Sequence, residues 1–313
     1  MNKESSRHHY LPVFYIKNFC NSNGEIFIND KLNDKNYGNI SRKVPKKIFF
    51  EWDGNTYNIN GVDSTIVETL YGYLEDKIAP FLEKLNNLPE TESAINKIDV
   101  ETLRNLIFLG YLTKWRIPSN DEYVKKLDSE ISFDDLNIFV KEGDSLFSLN
   151  SLVYSEISPE IKRMFFSARL FKDSNSYSNV FKNTFIIYFP QPLFINDNPF
   201  IELQIDSEKE YPSFIFPLSS NHLLVHCDFI NKYEFIDFFK DEDEKYYRYL
   251  NYLYNCVLIT IMWHGKKYIG CENREPLSHM LSVVNEVSDK IEEKGVSAPY
   301  MAFNALRNFR TFD

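Results

Sequence analysis

Residues 184–200, TFIIYFPQPLFINDNPF, begin a return to strand patterns after a long helical section of the chain. Short apolar runs that end at turn-forming residues predict four strands in this region. They are Thr184–Phe189, Leu193–Ile195, Ser213–Pro217 and His222–Cys227. Five prolines fall between positions 190 and 217, which favours a sheet interrupted by ordered loops.

A first group of short strands is predicted near the N-terminus. It comprises Gly24–Ile28, Lys47–Phe50 and Thr56–Ile59, and the turn signals Asp53-Gly54 and Asn60-Gly61 bound the last of these. We expect these strands to form the sheet together with the later group.

Helical spacing of apolar residues separates and follows the two groups of strands. A helix begins near Asp63, where Ser64 can cap it, and a second covers Val100–Trp115 and ends before Pro118. Further helices are predicted at about 120–142, 158–172, Tyr246–Met262 and Glu275–Glu293.

Grouped strands followed by grouped helices predict an α+β fold and not a repeating βαβ sheet. The sequence shows no internal repeat and no clear linker, so residues 1–313 are interpreted as one domain. Within it, residues 1–62 and 184–230 would supply the sheet, while 63–175 and 231–313 would be helical.

The composition limits the function classes. Hydrophobic residues make up 43% and aromatic residues 16% of the 313 residues, which is ample material for a packed core. The chain has 35 Lys and Arg against 45 Asp and Glu, a net charge of -10. Such a charge disfavours broad, nonspecific nucleic-acid binding, although a local basic patch would still permit a nuclease.

The cysteines and the apolar runs indicate a cytoplasmic protein. Cys20, Cys227, Cys256 and Cys271 have no metal-ligand or disulfide spacing, and the first ten residues lack a secretory signal. The longest apolar run, Cys256–Trp263, is much shorter than the roughly 20 residues of a membrane span, so no membrane association is expected.

Common cofactor and nucleotide motifs are absent from the sequence. It contains no GxxxxGK[ST], no GxGxxG, no HExxH and no GxSxG. Candidate functional residues must therefore come from less specific patterns.

His8 and His9 are the first candidates, because imidazole titrates near neutral pH and serves as acid, base or ligand. The alternative is one exposed histidine and one hydrogen-bonded packing residue. Glu68 and Glu75 are seven residues apart, so one helix face carries both carboxylates. They could hold a divalent cation, or they could be an ordinary solvated stripe.

Arg116 and the loop at 194–200 supply the remaining candidates. Arg116 ends an apolar helix, where a guanidinium either complements the helix dipole or clamps an anion. In the loop, Asp197 could coordinate a metal, orient His9 or pair with Arg116, and Pro199 constrains Asn198. The alternative is an Asx turn.

The segment His9-Tyr10-Leu11-Pro12-x-Phe14-Tyr15-Ile16-x-x-Phe19 resembles the opening of domain of unknown function family 4238, whose members begin with His-Tyr-Val-Pro-x-Phe-Tyr-Leu-x-x-Phe. Other matches follow in order, and the resemblance extends from about residue 8 to 285. They are Ile48–Glu51, Glu68 and Glu75 before Ala79-Pro80, Arg116 with Pro118, Asn196–Pro199 and Phe216–Ser219. Asn196 replaces the usual Ser, and residues 120–180 match nothing in the family pattern.

The resemblance implies no activity, but it gives the polar positions more weight. Because the family pattern begins at the second histidine, His9 is the candidate and His8 is incidental. The set implied by the resemblance is His9, Glu68, Glu75, Arg116 and Asp197.

Two functional hypotheses follow. In the first, the protein is a phosphoester hydrolase or nuclease of a toxin or phage-defence system, acting on nucleic acid or a nucleotide. His9, Arg116, Asp197 and Asn198 would be catalytic, while Glu68, Glu75 and Asp197 would bind magnesium or manganese. In the second, the same groups form a buried ion-pair network in a non-catalytic module that binds a ligand or a partner protein.

Overall fold

The computed structural model describes most of the chain between Arg7 and Phe312. Outside the described residues lie 1–6, 33–38, 53–55, 60–61, 87–97, 121–138, 143, 149–157, 170–177, 179, 204–211, 231, 239–243, 294–297 and 313. The predicted turns Asp53-Gly54 and Asn60-Gly61, and most of the predicted helix at 120–142, fall on these residues.

Helices and strands alternate in groups along the chain. The strands are β1 (Arg7–His9), β2 (Ile26–Asp30), β3 (Ile40–Lys43), β4 (Phe50–Trp52), β5 (Tyr57–Ile59), β6 (Val62–Ser64), β7 (Phe139–Glu142), β8 (Ser145–Ser148), β9 (Thr184–Tyr188), β10 (Ile195–Asn196), β11 (Ile201–Glu202), β12 (Phe214–Pro217), β13 (His222–His226) and β14 (Tyr268–Cys271). The helices are α1 (Val13–Ile16), α2 (Ile66–Asn86), α3 (Val100–Arg116), α4 (Ser158–Arg169), α5 (Lys232–Phe238), α6 (Glu244–His264), α7 (Arg274–Glu293) and α8 (Ala298–Arg307).

Two four-stranded antiparallel sheets organise these elements. One has the order β10-β14-β2-β3, and the other has the order β11-β12-β13-β9. Small antiparallel ladders join β1 to β4, β5 to β6 and β7 to β8. The mixed content and grouped strands confirm the α+β prediction.

The β11-β12-β13-β9 sheet is buried on both faces. Along β13, Leu224 packs in one hydrophobic cluster, with residues of α2, α3 and α4, while Leu223 and Val225 pack in another, with residues of α6 and α8. Successive side chains of a strand point to opposite faces, so one strand supplies both clusters. This sheet is therefore the middle layer between two groups of helices.

Local sequence accounts for the helices that carry the site. The Ser64 hydroxyl accepts a hydrogen bond from the Ile66 amide at the start of α2. The Asp99 carboxylate accepts one from the Thr102 amide at 2.8 Å and caps α3, which ends before Pro118 as predicted. The two helices pack against each other, so their facing side chains meet.

The end of the helix predicted at about 120–142 and the strand predicted at Lys47–Phe50 differ from the structure. Residues 139–142 were assigned to a helix but form β7, because Phe139 and Val140 pair with β8 across a short connection. The strand predicted at Lys47–Phe50 is wrong for residues 47–49, and only Phe50 belongs to a strand, β4. Pro45 begins a 3-10 helix over Pro45–Lys47, and Phe49 has a φ of 54°, which is not extended.

The last part of the chain is not wholly helical. β14 lies between β10 and β2, so the predicted helical section 231–313 supplies a strand of the first sheet. The single-domain interpretation stays a prediction. No helix in the described part of the chain has the length and apolarity that crossing a membrane requires.

Candidate functional site

Helices α2 and α3 bring together three of the predicted site residues. Glu68 and Glu75 lie two turns apart on α2, and Arg116 is the last residue of α3. The Arg116 guanidinium bonds to the Glu75 carboxylate and lies 3.6 Å, Nη2 to Oε2, from Glu68. The two carboxylates therefore share one face of α2, as their spacing predicts, and a single guanidinium contacts both.

The Arg116 guanidinium also stacks on the ring of Tyr71. Tyr71 lies between the two glutamates on α2, and the Arg116 Cζ atom is 4.0 Å from the centre of its ring. Arg116 is only 5% exposed, so its charge depends on these partners. Burial raises the pKa of Glu75, and the Arg116 charge opposes that rise.

A second ion pair fixes the end of α3. The Arg163 Nη1 of α4 donates to the Trp115 carbonyl at 3.1 Å, and its Nε lies 3.3 Å from Glu160. The Tyr71 hydroxyl donates to Glu160 at 3.4 Å and links the two ion pairs. A cation at the last carbonyls of a helix complements its dipole, so Arg163 holds Arg116 in place through the backbone.

His8, on β1, completes the site from the side of the N-terminal strands. Its Nδ1 lies 3.3 Å from Glu68 Oε2, and its Nε2 lies 3.1 Å from the hydroxyl of Thr56. With the Nδ1 proton donated to the carboxylate, Nε2 is the acceptor for the hydroxyl proton. His8 is 5% exposed, whereas the Glu68 side chain is 39% exposed. The buried histidine thus has a solvent-accessible partner.

His9, the histidine that the sequence favoured, lies on the other face of β1. Its ring centre is 5.7 Å from that of Phe50, at a tilt of 56°. Burial, with a contribution from the Arg116 charge, lowers the pKa of His9. Its Nε2 is buried and has no hydrogen-bond partner among the described residues. His9 is therefore a neutral ring beside the site.

Asp197 belongs to a different part of the structure. Its carboxylate accepts hydrogen bonds from the amides of Lys266 and Lys267, at 2.8 Å and 3.0 Å, and a longer one from Tyr268. It thereby holds the turn between α6 and β14. The sequence placed Asp197 with the catalytic and the metal-binding residues, but its contacts in the structure are with this turn.

Asn198 continues the same loop. Its amide donates to the Asn196 side-chain oxygen at 2.9 Å, and the Asn196 side-chain NH2 donates to the Ile261 carbonyl. This is the Asx turn that the sequence offered as the alternative reading of the loop. The catalytic role given to Asn198 stays a prediction, without a contact to the Arg116 cluster to support it.

The arrangement does not fit a divalent cation between the two glutamates. The Arg116 guanidinium already lies against both carboxylates, and a second cation there would be repelled at short range. Among the described residues, no group of three or more His, Cys, Asp or Glu side chains is placed to hold a metal ion. The site instead contains a line of three contacting groups: the Thr56 hydroxyl, the His8 imidazole and the Glu68 carboxylate. This is the geometry of a nucleophile, a base and a carboxylate that orients the base.

Sequence reasoning considered His8 but set it aside in favour of His9, and it did not find Thr56, Glu160 and Arg163. Thr56 was assigned only to a strand, and 158–172 only to a helix. The one useful pattern in the sequence was that adjacent residues of a strand point to opposite faces. His8 and His9 therefore face opposite sides of β1, and only one of them can face α2. Nothing in the sequence alone said which one.

The chain matches one family model, described as protein of unknown function (DUF4238), over residues 7–244. No curated protein and no solved structure matches the chain. The matched segment contains His8, Thr56, Glu68, Arg116 and Arg163, so the whole cluster lies within the family region.

Proposed function

The chain belongs to the DUF4238 family, and we propose that it is a hydrolase of phosphate esters in which His8 is the general base. The observation that carries this proposal is the line of contacts from Thr56 through His8 to Glu68, at 3.1 Å and 3.3 Å. A base that contacts a hydroxyl on one nitrogen and a carboxylate on the other is the arrangement that activates a nucleophile.

Each residue has a distinct part in this proposal. Thr56 presents the hydroxyl nearest to the base. As its oxygen attacks the phosphorus, His8 takes the proton on Nε2 and gives it to the departing ester oxygen, and water then cleaves the phosphothreonine with His8 again as base. Glu68 holds the Nδ1 proton and stabilises the imidazolium that forms. Arg116 is a positioning residue, because its guanidinium fixes Glu68 and is too buried to bind substrate.

The surroundings of β1 favour an anionic substrate. Arg7, Lys46 and Lys47 are exposed beside the strand, and Arg7 Nη1 donates to the Lys46 carbonyl at 3.5 Å. Positive side chains at a site raise the local concentration of anions even on an acidic protein. A nuclease of a toxin or phage-defence system is the most specific form of this proposal.

The test is a panel of phosphomonoesters, phosphodiesters and oligonucleotides, incubated with the wild type and with Glu68→Gln, Thr56→Ala and Thr56→Ser. General-base catalysis contributes about 100-fold or more, so Glu68→Gln and Thr56→Ala should lose at least that factor in kcat, while Thr56→Ser retains activity. If no substrate is hydrolysed, or if Thr56→Ala is as active as the wild type, the proposed chemistry is wrong.

The predicted magnesium or manganese is tested in the same assay with EDTA. Because Arg116 already neutralises the glutamates, we expect hydrolysis to persist in EDTA. Loss of activity that Mn²⁺ restores would support the cation instead.

A second candidate function is the non-catalytic module that binds a ligand or a partner protein. The observation in its favour is that Arg116 is 5% exposed and bonded to two glutamates, as a purely structural network would be. In that case Glu68→Gln lowers stability and has no catalytic effect on any substrate.

A further inference from the structure

The densest run of positive charge in the described structure adjoins β1, the strand that carries His8. Arg42, Lys43, Lys46 and Lys47 fall within six residues, and all four are exposed. In a chain of net charge -10, such a run is a local reversal of the surface charge. Arg42 pairs with Glu25 at 3.4 Å, and Lys43, Lys46 and Lys47 have no ion-pair partner among the described residues.

The backbone attaches this run directly to β1. The Lys46 carbonyl accepts a hydrogen bond from Arg7, and the Tyr10 amide donates to the Phe49 carbonyl at 3.1 Å. Phe49 has a φ of 54°, in the left-handed region, and is 1% exposed. This buried, left-handed residue turns the chain so that the basic run and β4 both lie against β1.

An exposed aromatic group adjoins the lysines. Trp52, on β4, is 56% exposed, and its ring meets the Phe50 ring edge-on with centres 5.4 Å apart. The Arg7 guanidinium lies 4.9 Å from the centre of the Trp52 ring and 5.2 Å from that of Phe50. Cation and rings form one layer, with ring area left open to solvent.

We propose that Lys43, Lys46, Lys47, Arg7 and Trp52, here called the basic-aromatic surface, bind single-stranded nucleic acid, with the lysines on phosphates and Trp52 stacked on a base. Sites for single strands combine a cationic track with aromatic side chains in this way. A phosphate group or an acidic peptide would use the lysines but not the exposed Trp52 ring, whereas a nucleic-acid base can stack on it.

The position of the surface deepens the proposed function, on which it rests for the choice of substrate. Arg7 and Trp52 are paired on one face of the β1-β4 ladder while His8 points to the other, so the surface and the His8 site lie on opposite faces of the same two strands. A strand bound there is held beside β1, and the surface takes no part in the chemistry.

The experiment is fluorescence anisotropy of a labelled 12-nucleotide DNA and RNA strand, titrated with the full chain at several salt concentrations. The variants are Lys43→Gln/Lys46→Gln/Lys47→Gln and Trp52→Ala. The matched control is Lys77→Gln/Lys84→Gln/Arg248→Gln, which removes the same charge from exposed positions elsewhere. Circular dichroism confirms that each variant is folded.

The surface lysines should account for much of the salt dependence. Each phosphate contact on a single strand adds about 0.7 to the magnitude of the negative slope of log K against log salt. Removing three lysines should therefore reduce that magnitude by about 2. Trp52→Ala should weaken binding by about fivefold or more, and the control triple should bind like the wild type.

Several results would overturn the proposal. They are an equal loss in the control triple, an unchanged affinity in Trp52→Ala, or equal binding of polyphosphate, of poly-glutamate or of anionic phospholipid vesicles. The proposed function fails separately. If the wild type binds the strand but hydrolyses no phosphoester, the binding surface is supported and the hydrolase proposal is wrong. If it hydrolyses a small phosphodiester without binding the strand, the hydrolase proposal is supported and the binding surface is wrong.

Discussion

At the scale of single residues, Arg116 organises the site. Its guanidinium contacts Glu68, Glu75 and the face of Tyr71, and almost none of it reaches solvent. A buried charge is tolerated only when such partners surround it, because its desolvation is costly. The glutamates are correspondingly held at fixed positions, which is what a base-orienting carboxylate requires.

Replacing Arg116 should therefore be severe. Arg116→Met leaves two carboxylates without their cation and should cost about 3–5 kcal/mol of unfolding free energy in urea. Arg116→Lys keeps the charge but not the planar, two-sided contact, and should cost less. Arg104→Met, at an exposed position of α3, is the control and should stay within about 0.5 kcal/mol. An equally small effect of Arg116→Met would mean that the cluster does not stabilise the fold.

The sequence predicted part of this cluster. The seven-residue spacing of Glu68 and Glu75 and the helix-end position of Arg116 were sufficient to group these three. His8 was set aside because the family pattern begins at His9, and the face that each histidine takes is decided by the pairing of β1 with β4. That pairing is a long-range contact, which no local pattern reports.

At the scale of elements, the loop after β10 contains a carboxylate, Asp197, that the sequence assigned to catalysis and that the structure uses to hold a turn. The Asp197 carboxylate accepts hydrogen bonds from three backbone amides, and Gly265 begins the turn that contains them. A Cβ at Gly265 would lie 2.8 Å from the Asn196 Cβ, so the two segments approach as closely as glycine allows.

Asp197→Ala should destabilise this corner of the first sheet. Hydrogen bonds to a charged acceptor contribute about 1.5–3 kcal/mol, so the loss of unfolding free energy should be of that order, with Asp197→Asn intermediate. Activity per folded molecule should change little. A stable but inactive Asp197→Ala protein would instead support the catalytic role that the sequence gave this residue.

Element prediction succeeded for the long helices and for the strands β9, β12 and β13, and it failed at β7, at β14 and in the segment before β4. α3 and α6 have many apolar residues in register, and their bounds agree with the sequence within a few residues. β14 and β7 have four residues each, and their pairing with distant or neighbouring strands decides their state. Pro45 and the left-handed Phe49 likewise shortened the strand predicted at Lys47–Phe50.

At the scale of the whole molecule, buried histidines should limit stability in acid. Burial lowers the pKa of both His222 and His264 from 6.5 to about 4. The unfolded chain takes up these protons first as the pH falls. Their stabilising effect is thus complete above pH 6.5 and is lost as the pH falls towards about 4, by up to about 3 kcal/mol for each group.

The measurement is the urea midpoint between pH 7 and pH 4, for the wild type and for His222→Gln. The variant should lose less stability over this range, because one of the two buried imidazoles is gone. His279→Gln, at an exposed position of α7, is the control and should follow the wild type. Parallel curves for wild type and His222→Gln would contradict the assignment.

The central claim is that His8, and not His9, is the base of the site. The most direct test is the kcat for a phosphoester substrate of His8→Gln and His9→Gln, measured at matched folded fractions. The account predicts that His8→Gln loses about 100-fold or more while His9→Gln keeps kcat within a few-fold. The reverse order, with His9→Gln inactive and His8→Gln active, would contradict it.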